Sequence, residues 1–297
     1  MNERVEFHGL PGCERLTYAD YGDPCGRPLL FCHGWPSSRL QARGLHAAAV
    51  AAGIRVVAPD RPGIGGSAFQ PGRRLLDWPP LMSALADHLG WDRFDVMGVS
   101  GGGPYALACG ARLPERMRHL WLVCPAPPLA WSQETGGLHW AYRGLMFFRR
   151  RMAWTLAAPL GLARWISWWP PRHPLLKALH LGLPESDRRA LDTPELRSVI
   201  SDDFAEVMRS SNAALVTDGE IYLEPWGFEP AEVLTPATIW HGTEDANLPA
   251  AMVRRMAAEL PHGELRRAEG EGHYSILFNL TAEVLGRVAS TDSGNGH

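Results

Sequence analysis

The chain has no excess of charge of either sign: charged residues are 21% of its 297 positions and the net charge is −3. Gripping a nucleic acid needs a basic stripe and gripping a cationic partner an acidic one, so neither partner is expected. The five cysteines (Cys13, Cys25, Cys32, Cys109, Cys124) show no paired or metal-like spacing. That argues against a disulfide scaffold and a cysteine-held metal, and it fits buried free thiols in a reducing compartment. Residues Met1 to Glu6 contain no apolar leader segment. No apolar run reaches the roughly 18–20 residues that cross a bilayer. A cytoplasmic protein without a membrane span is expected. Internal repeats are lacking, and Gly98-x-Ser100 is no dinucleotide fingerprint, because the glycine spacing and the acidic residue that should follow are wrong.

What the chain does have is a stretch, Phe94 to Pro104, in which an apolar strand runs into Gly98-Val99-Ser100-Gly101-Gly102 and directly into a helical pattern. This is the context of a nucleophile elbow. The turn is tight enough to strain the backbone of its central residue, and side chains two positions to either side would collide, which explains Gly98 and Gly102. Ser100 would stand above the strand end with its Oγ presented to a ligand, over a helix N-terminus whose free N–H groups favour an anion.

The surrounding pattern is strand and helix in alternation. Residues 15–21 and 28–32 read as strands, the second running into His33-Gly34-Trp35-Pro36-Ser37-Ser38, where Ser37 or Ser38 can cap a helix over about 38–52. Residues 54–59 read as a buried strand. Residues 75–90 form an amphipathic helix whose firm start Pro79-Pro80 sets near Leu81. The elbow helix runs to about 113, and strands follow at 119–123, 237–240 and near 264–266, with helices at about 249–259 and 274–289. This is an α/β chain with a mostly parallel sheet covered on both faces.

Between 126 and 230 the rhythm breaks into helical, Pro- and Gly-interrupted sequence rich in tryptophan (Trp131, Trp140, Trp154, Trp165, Trp168, Trp169). The expected organisation is a core of 1–125 and 231–289, a helical cap of 126–230 lying over Ser100, and a small, polar, disordered tail of 290–297. Phe147 to Met152 places three arginines beside the tryptophans; a cap helix with a solvated basic face is the commoner cause of such a pattern, a membrane-surface helix the rarer one.

A serine hydroxyl needs a base, and the base an orienting acid. Asp245 lies in a loop after a buried strand, and His273 lies between Gly272 and Tyr274 after the last strand. Serine, aspartate, histidine is one known chain order for such a set. Glu244 and Asp60 are the rival acids, while His33 and His241 read as structural. No metal cluster is apparent.

With these pieces in view, the chain resembles the α/β-hydrolase-fold serine hydrolases over nearly all of its length except the middle of the cap. The matching segments are His33-Gly34-Trp35-Pro36, Asp60 to Ser67, the elbow, Gly242-Thr243-Glu244-Asp245 and Gly272-His273. The resemblance implies an oxyanion hole from the backbone N–H groups of Trp35 and Gly101, a structural role for Asp60 and Arg61, and no cofactor. The His-Gly-Trp-Pro loop is also similar to that of epoxide hydrolases and haloalkane dehalogenases, which carry an aspartate at the elbow. Serine attacking an alkyl carbon would leave an ether that this machinery could not cleave, and Gly101 lacks the indole dehalogenases use for halide. Acyl chemistry on a small, largely apolar ester is therefore expected. A carbon–carbon bond hydrolase remains open, as does a prolyl-type aminopeptidase using cap acids such as Asp202, Asp203 and Glu206. So does a non-catalytic ligand receptor on the same fold. The oligomeric state is left open.

Overall fold

A computed structural model describes residues 1–10, 12–129, 161, 165 and 181–290 of the chain. Eight strands form one sheet: β1 (Asn2–Leu10), β2 (Cys13–Gly22), β3 (Arg27–Cys32), β4 (Ile54–Pro59), β5 (Phe94–Val99), β6 (Met117–Val123), β7 (Ala237–Gly242) and β8 (Gly263–Ala268). Their spatial order is β1-β2-β4-β3-β5-β6-β7-β8. The first pairings, β1 with β2 and β2 with β4, are antiparallel, and all the rest are parallel.

The short apolar runs form strands here because both sides of the sheet are buried. Leu30, Val57, Val96, Leu120 and Ile239 pack on one side with α2 (Trp78–His88), α3 (Gly103–Arg112) and a later helix at Ala250–Glu259. Their neighbours Leu29, Phe31, Val56, Met97 and Trp240 pack on the other, with α1 (His46–Ala51) and the C-terminal helices.

Several details differ from the pattern-based expectation. The segment expected as one helix over 38–52 is a 3-10 helix, Arg39–Leu45, capped by Ser38, followed by α1. α2 begins ahead of its two prolines, at Trp78, because the first turn of a helix needs no N–H partner and so tolerates them. β1 has no counterpart in the sequence reading: it is an edge strand whose residues are mostly exposed or half-buried, so it gives no apolar run.

After residue 180 the described part of the middle block is helical: α4 (Glu185–Leu191), α5 (Pro194–Met208) and α6 (Asn212–Ile221). Beyond β7 come α7 (Ala250–Glu259), α8 (Ser275–Asn279) and α9 (Thr281–Ser290), the last two replacing the single helix expected over 274–289. The tryptophan-rich part of the block, apart from exposed Trp165, lies outside the described residues, as do the arginine cluster and residues 291–297. No helix among the described residues is long and apolar enough to cross a membrane. Cys13, Cys32, Cys109 and Cys124 are buried free thiols, and Cys25 is exposed.

The chain order reverses at β3: it steps outward to β4, then returns to the far side of β3 for β5. In such sheets the crevice for ligands opens at the carboxyl ends of the strands flanking the reversal. The His33 loop leaves β3 and Ser100 leaves β5.

Candidate active site

Ser100 follows the last residue of β5 with φ of 51°, one of two non-glycine residues at positive φ among the described residues. Few L-residues tolerate that region, so its neighbours must over-determine it. They do, by close approach: a Cβ on Gly98 would lie 2.7 Å from the Gly102 carbonyl oxygen and 2.8 Å from Ala106 Cβ. One on Gly102 would overlap the Cys32 carbonyl at the end of β3. Gly98 thus makes room for Gly102, as the sequence suggested, and Gly102 in turn makes room for the end of β3.

From the ends of β7 and β8, Asp245 and His273 converge on this serine. His273 Nε2 lies 2.9 Å from Ser100 Oγ, and its Nδ1 lies 2.8 Å from Asp245 Oδ2. The other Asp245 oxygen accepts the N–H groups of Asn247 at 2.8 Å and Leu248 at 2.9 Å, which fixes the carboxylate plane. The rival acids point elsewhere. Glu244 is exposed and accepts from Ser186, while Asp60 is buried against Arg39 and Gly66. His33 and His241 do not reach Ser100; His33 bridges Gly34 and Arg61 within its own loop region.

Ser100 and His273 are 8% and 7% exposed. Burial opposes a charge on His273, but the Asp245 carboxylate hydrogen-bonded to its ring favours it and raises the imidazole above its ordinary value. Burial would likewise raise Asp245, yet His273 and the Leu248 N–H bring it below the usual carboxylate value. Cys124 is remote from both in sequence and was not foreseen here. Its sulfur, an Asp245 oxygen and a His273 nitrogen lie within 4.8 Å of one another. The thiol donates to the His273 carbonyl at 3.4 Å, and burial pushes it up, so it stands beside the ring uncharged at neutral pH.

The loop after β3 is clamped from beneath. Arg61 donates to the His33 carbonyl at 2.5 Å and the Gly34 carbonyl at 2.6 Å. A trans peptide holds its C=O and N–H on opposite sides. Fixing the Gly34 oxygen on Arg61 therefore turns the Trp35 N–H away from it, and a Cβ on Gly34 would lie 3.5 Å from Ser100 Cβ. No acceptor among the described residues takes the N–H of Trp35 or of Gly101. Arg61 is itself held by both oxygens of Asp218, which also accepts from Arg73 and Tyr105. Burial would raise Asp218, but Arg61 and Arg73 carry it far below the usual carboxylate range. Two buried guanidinium groups on one carboxylate leave an excess positive charge beneath the loop.

Asp218 and the nearby Tyr222 were missed by the sequence reading. The Tyr222 hydroxyl is buried without a partner among the described residues, and a Cβ on Gly101 would lie 2.6 Å from it. The cap acids considered for binding an amine are engaged with the core instead. Asp203 accepts from Ser37 and Ser38, Glu206 from Arg39 and Arg209, and Asp202 from Arg43.

Comparison with known proteins gives four findings. A family model described as alpha/beta hydrolase fold matches residues 27–280. An uncharacterized hydrolase, YcgS, of Bacillus subtilis is 31% identical over 122 residues, 41% of this chain and 42% of that protein, so the match takes in less than half of the relative's length. Among solved structures, a bromoperoxidase from Bacillus anthracis aligns with a TM-score of 0.70 at 18% identity, covering 96% of this chain and 98% of that one. An esterase from Exiguobacterium antarcticum aligns with a TM-score of 0.69 at 16% identity, covering 98% and 100%. At these identities the structural likeness is one of fold.

Proposed function

The chain belongs to the alpha/beta hydrolase fold family, and from that premise we propose that it is a serine hydrolase cleaving a small, largely apolar ester or related acyl compound through an acyl-enzyme on Ser100. The observation that carries the proposal is the unbroken chain from Asp245 Oδ2 through His273 to Ser100 Oγ, at 2.8 and 2.9 Å. With Nδ1–H donated to Asp245, Nε2 is the ring's acceptor, and it faces the hydroxyl.

In the first half-reaction Ser100 Oγ bonds to the substrate carbonyl carbon as Nε2 takes its proton. The carbonyl oxygen becomes an anion at the N–H groups of Trp35 and Gly101, with the excess charge of the Arg61–Asp218–Arg73 cluster beneath. Collapse breaks the bond to the alcohol, which leaves with the proton from His273. Water then attacks the acyl carbon, gives a proton to Nε2, and the acid departs as Oγ recovers it. Aromatic side chains around this point suit an apolar substrate. Trp35 packs on Gly101 beside Tyr222, and Tyr274 stands edge-on to His273.

The engagement of Asp202, Asp203 and Glu206 with core residues weighs against the aminopeptidase alternative, which needs a free acid for the substrate amine. Carbon–carbon hydrolysis would use the same three residues and remains the second reading. A series of activated esters of increasing acyl length, given to wild type and Ser100→Ala, tests the proposal. Turnover with a length optimum, falling by at least about 10⁴-fold in the variant, is expected. Absence of Ser100-dependent turnover on every ester would overturn the esterase reading and favour carbon–carbon substrates, with a ligand receptor as the account if those too are left unturned.

A further inference from the structure

Asp187, on α4, is 1% exposed, and its carboxylate carries no cationic partner among the described residues. It accepts three successive backbone N–H groups instead: His273 at 3.1 Å, Tyr274 at 2.9 Å and Ser275 at 2.9 Å. Burying an ionised carboxylate is unfavourable, and an apolar residue would fill the space without that cost. The carboxylate is therefore matched to those amides. The preceding residue fits the same arrangement, since a Cβ on Gly272 would overlap the Asp187 carboxylate. Its N–H is taken by Ser275 Oγ at 2.8 Å, and that hydroxyl donates to Glu271 at 2.5 Å.

We propose that Asp187 is the positioning residue for His273, so that the segment re-entering from the middle block sets the geometry of the Ser100 site. The inference rests on His273 serving as base in the reaction above. Asp245 holds the ring at Nδ1, but a ring held at one atom can pivot about that bond. Asp187 supplies the second anchor, on the backbone of the same residue. A displacement of about 1 Å at the reacting atoms is enough to lose on the order of 100-fold in rate. The glycine before His273 thus has a reason to be there: it admits a carboxylate from another part of the chain.

The test compares Asp187→Asn with wild type. Asparagine keeps the shape and one acceptor oxygen, which can still serve Tyr274 and Ser275, but it turns an amide N–H₂ toward His273 N–H. The expected result is a kcat lower by about 10- to 100-fold with KM within about twofold. The low-field proton resonance of His273 Nδ1–H in the resting protein is expected to shift or broaden. Gly272→Ala should cause a like loss. Asp187→Ala/Gly272→Ala should be no worse than Gly272→Ala alone, because the carboxylate that the new methyl strikes is gone. An unchanged kcat and resonance in Asp187→Asn would overturn the proposal. So would a loss that merely tracks the folded fraction, or single-variant losses that multiply. Should wild type show no Ser100-dependent turnover, the functional reading fails by itself, and the resonance still decides whether Asp187 places the ring.

Discussion

Ser100 lies more than a hundred residues before Asp245 and His273, which are 28 residues apart, and each is held by a feature of its own: positive φ, a paired imidazole, a carboxylate that accepts two backbone N–H groups. Their chemistry has a pH signature whose sign follows from the held charge. Protonated His273 cannot accept the Ser100 proton, and its value in the folded protein lies well above the ordinary 6.5. So kcat/KM is expected to rise with pH along an acid limb centred above 6.5. Asp245→Asn removes the charge that favours the imidazolium, so the limb moves to lower pH while kcat falls by on the order of 10⁴. A pH–rate profile of the two proteins checks both. These three residues were legible in the sequence because chain order marks them, with an adjacent glycine at Ser100 and at His273 and a position after a buried strand for Asp245. Asp187 and Tyr222 were not, since nothing near them in sequence records which loop they meet.

At the scale of elements, the loop after β3 depends on the loop after β4 and on α6. Arg61 reaches up to two carbonyls, and Asp218 on α6 holds Arg61 and Arg73 from the other side. The motif Asp60 to Ser67 was legible, and a structural role for Asp60 agrees with its bonds to Arg39 and Gly66. Arg61's grip on the peptide before Trp35 was not, because a backbone carbonyl leaves no trace in sequence. Removing the acid strands two buried cations. Asp218→Asn is expected to lose about 3–5 kcal/mol of stability at pH 7, measured by urea unfolding. Since folding depresses the Asp218 value, its contribution is present above the unfolded value near 4 and is lost as pH falls through the folded one. The gap between variant and wild type should therefore narrow in acid.

Across the whole molecule, one sheet brings the loops after β3, β5, β7 and β8 to the same edge, and the reversal of strand order at β3 opens the place where they meet. The inner parallel strands β3 to β7 were legible as short apolar runs because both their faces are buried, whereas edge strand β1, wetted along most of its length, was not. The central claim is that this convergence makes Ser100 a nucleophile, and an aryl or alkyl fluorophosphonate tests it most directly, since it labels only an activated serine. Intact-protein mass followed by peptide mapping should show one adduct per chain, on the peptide containing Ser100. The adduct should be absent from Ser100→Ala and strongly slowed in His273→Ala. Labelling of Ser100→Ala to the same extent, or a wild-type protein that takes up no label, would contradict the account.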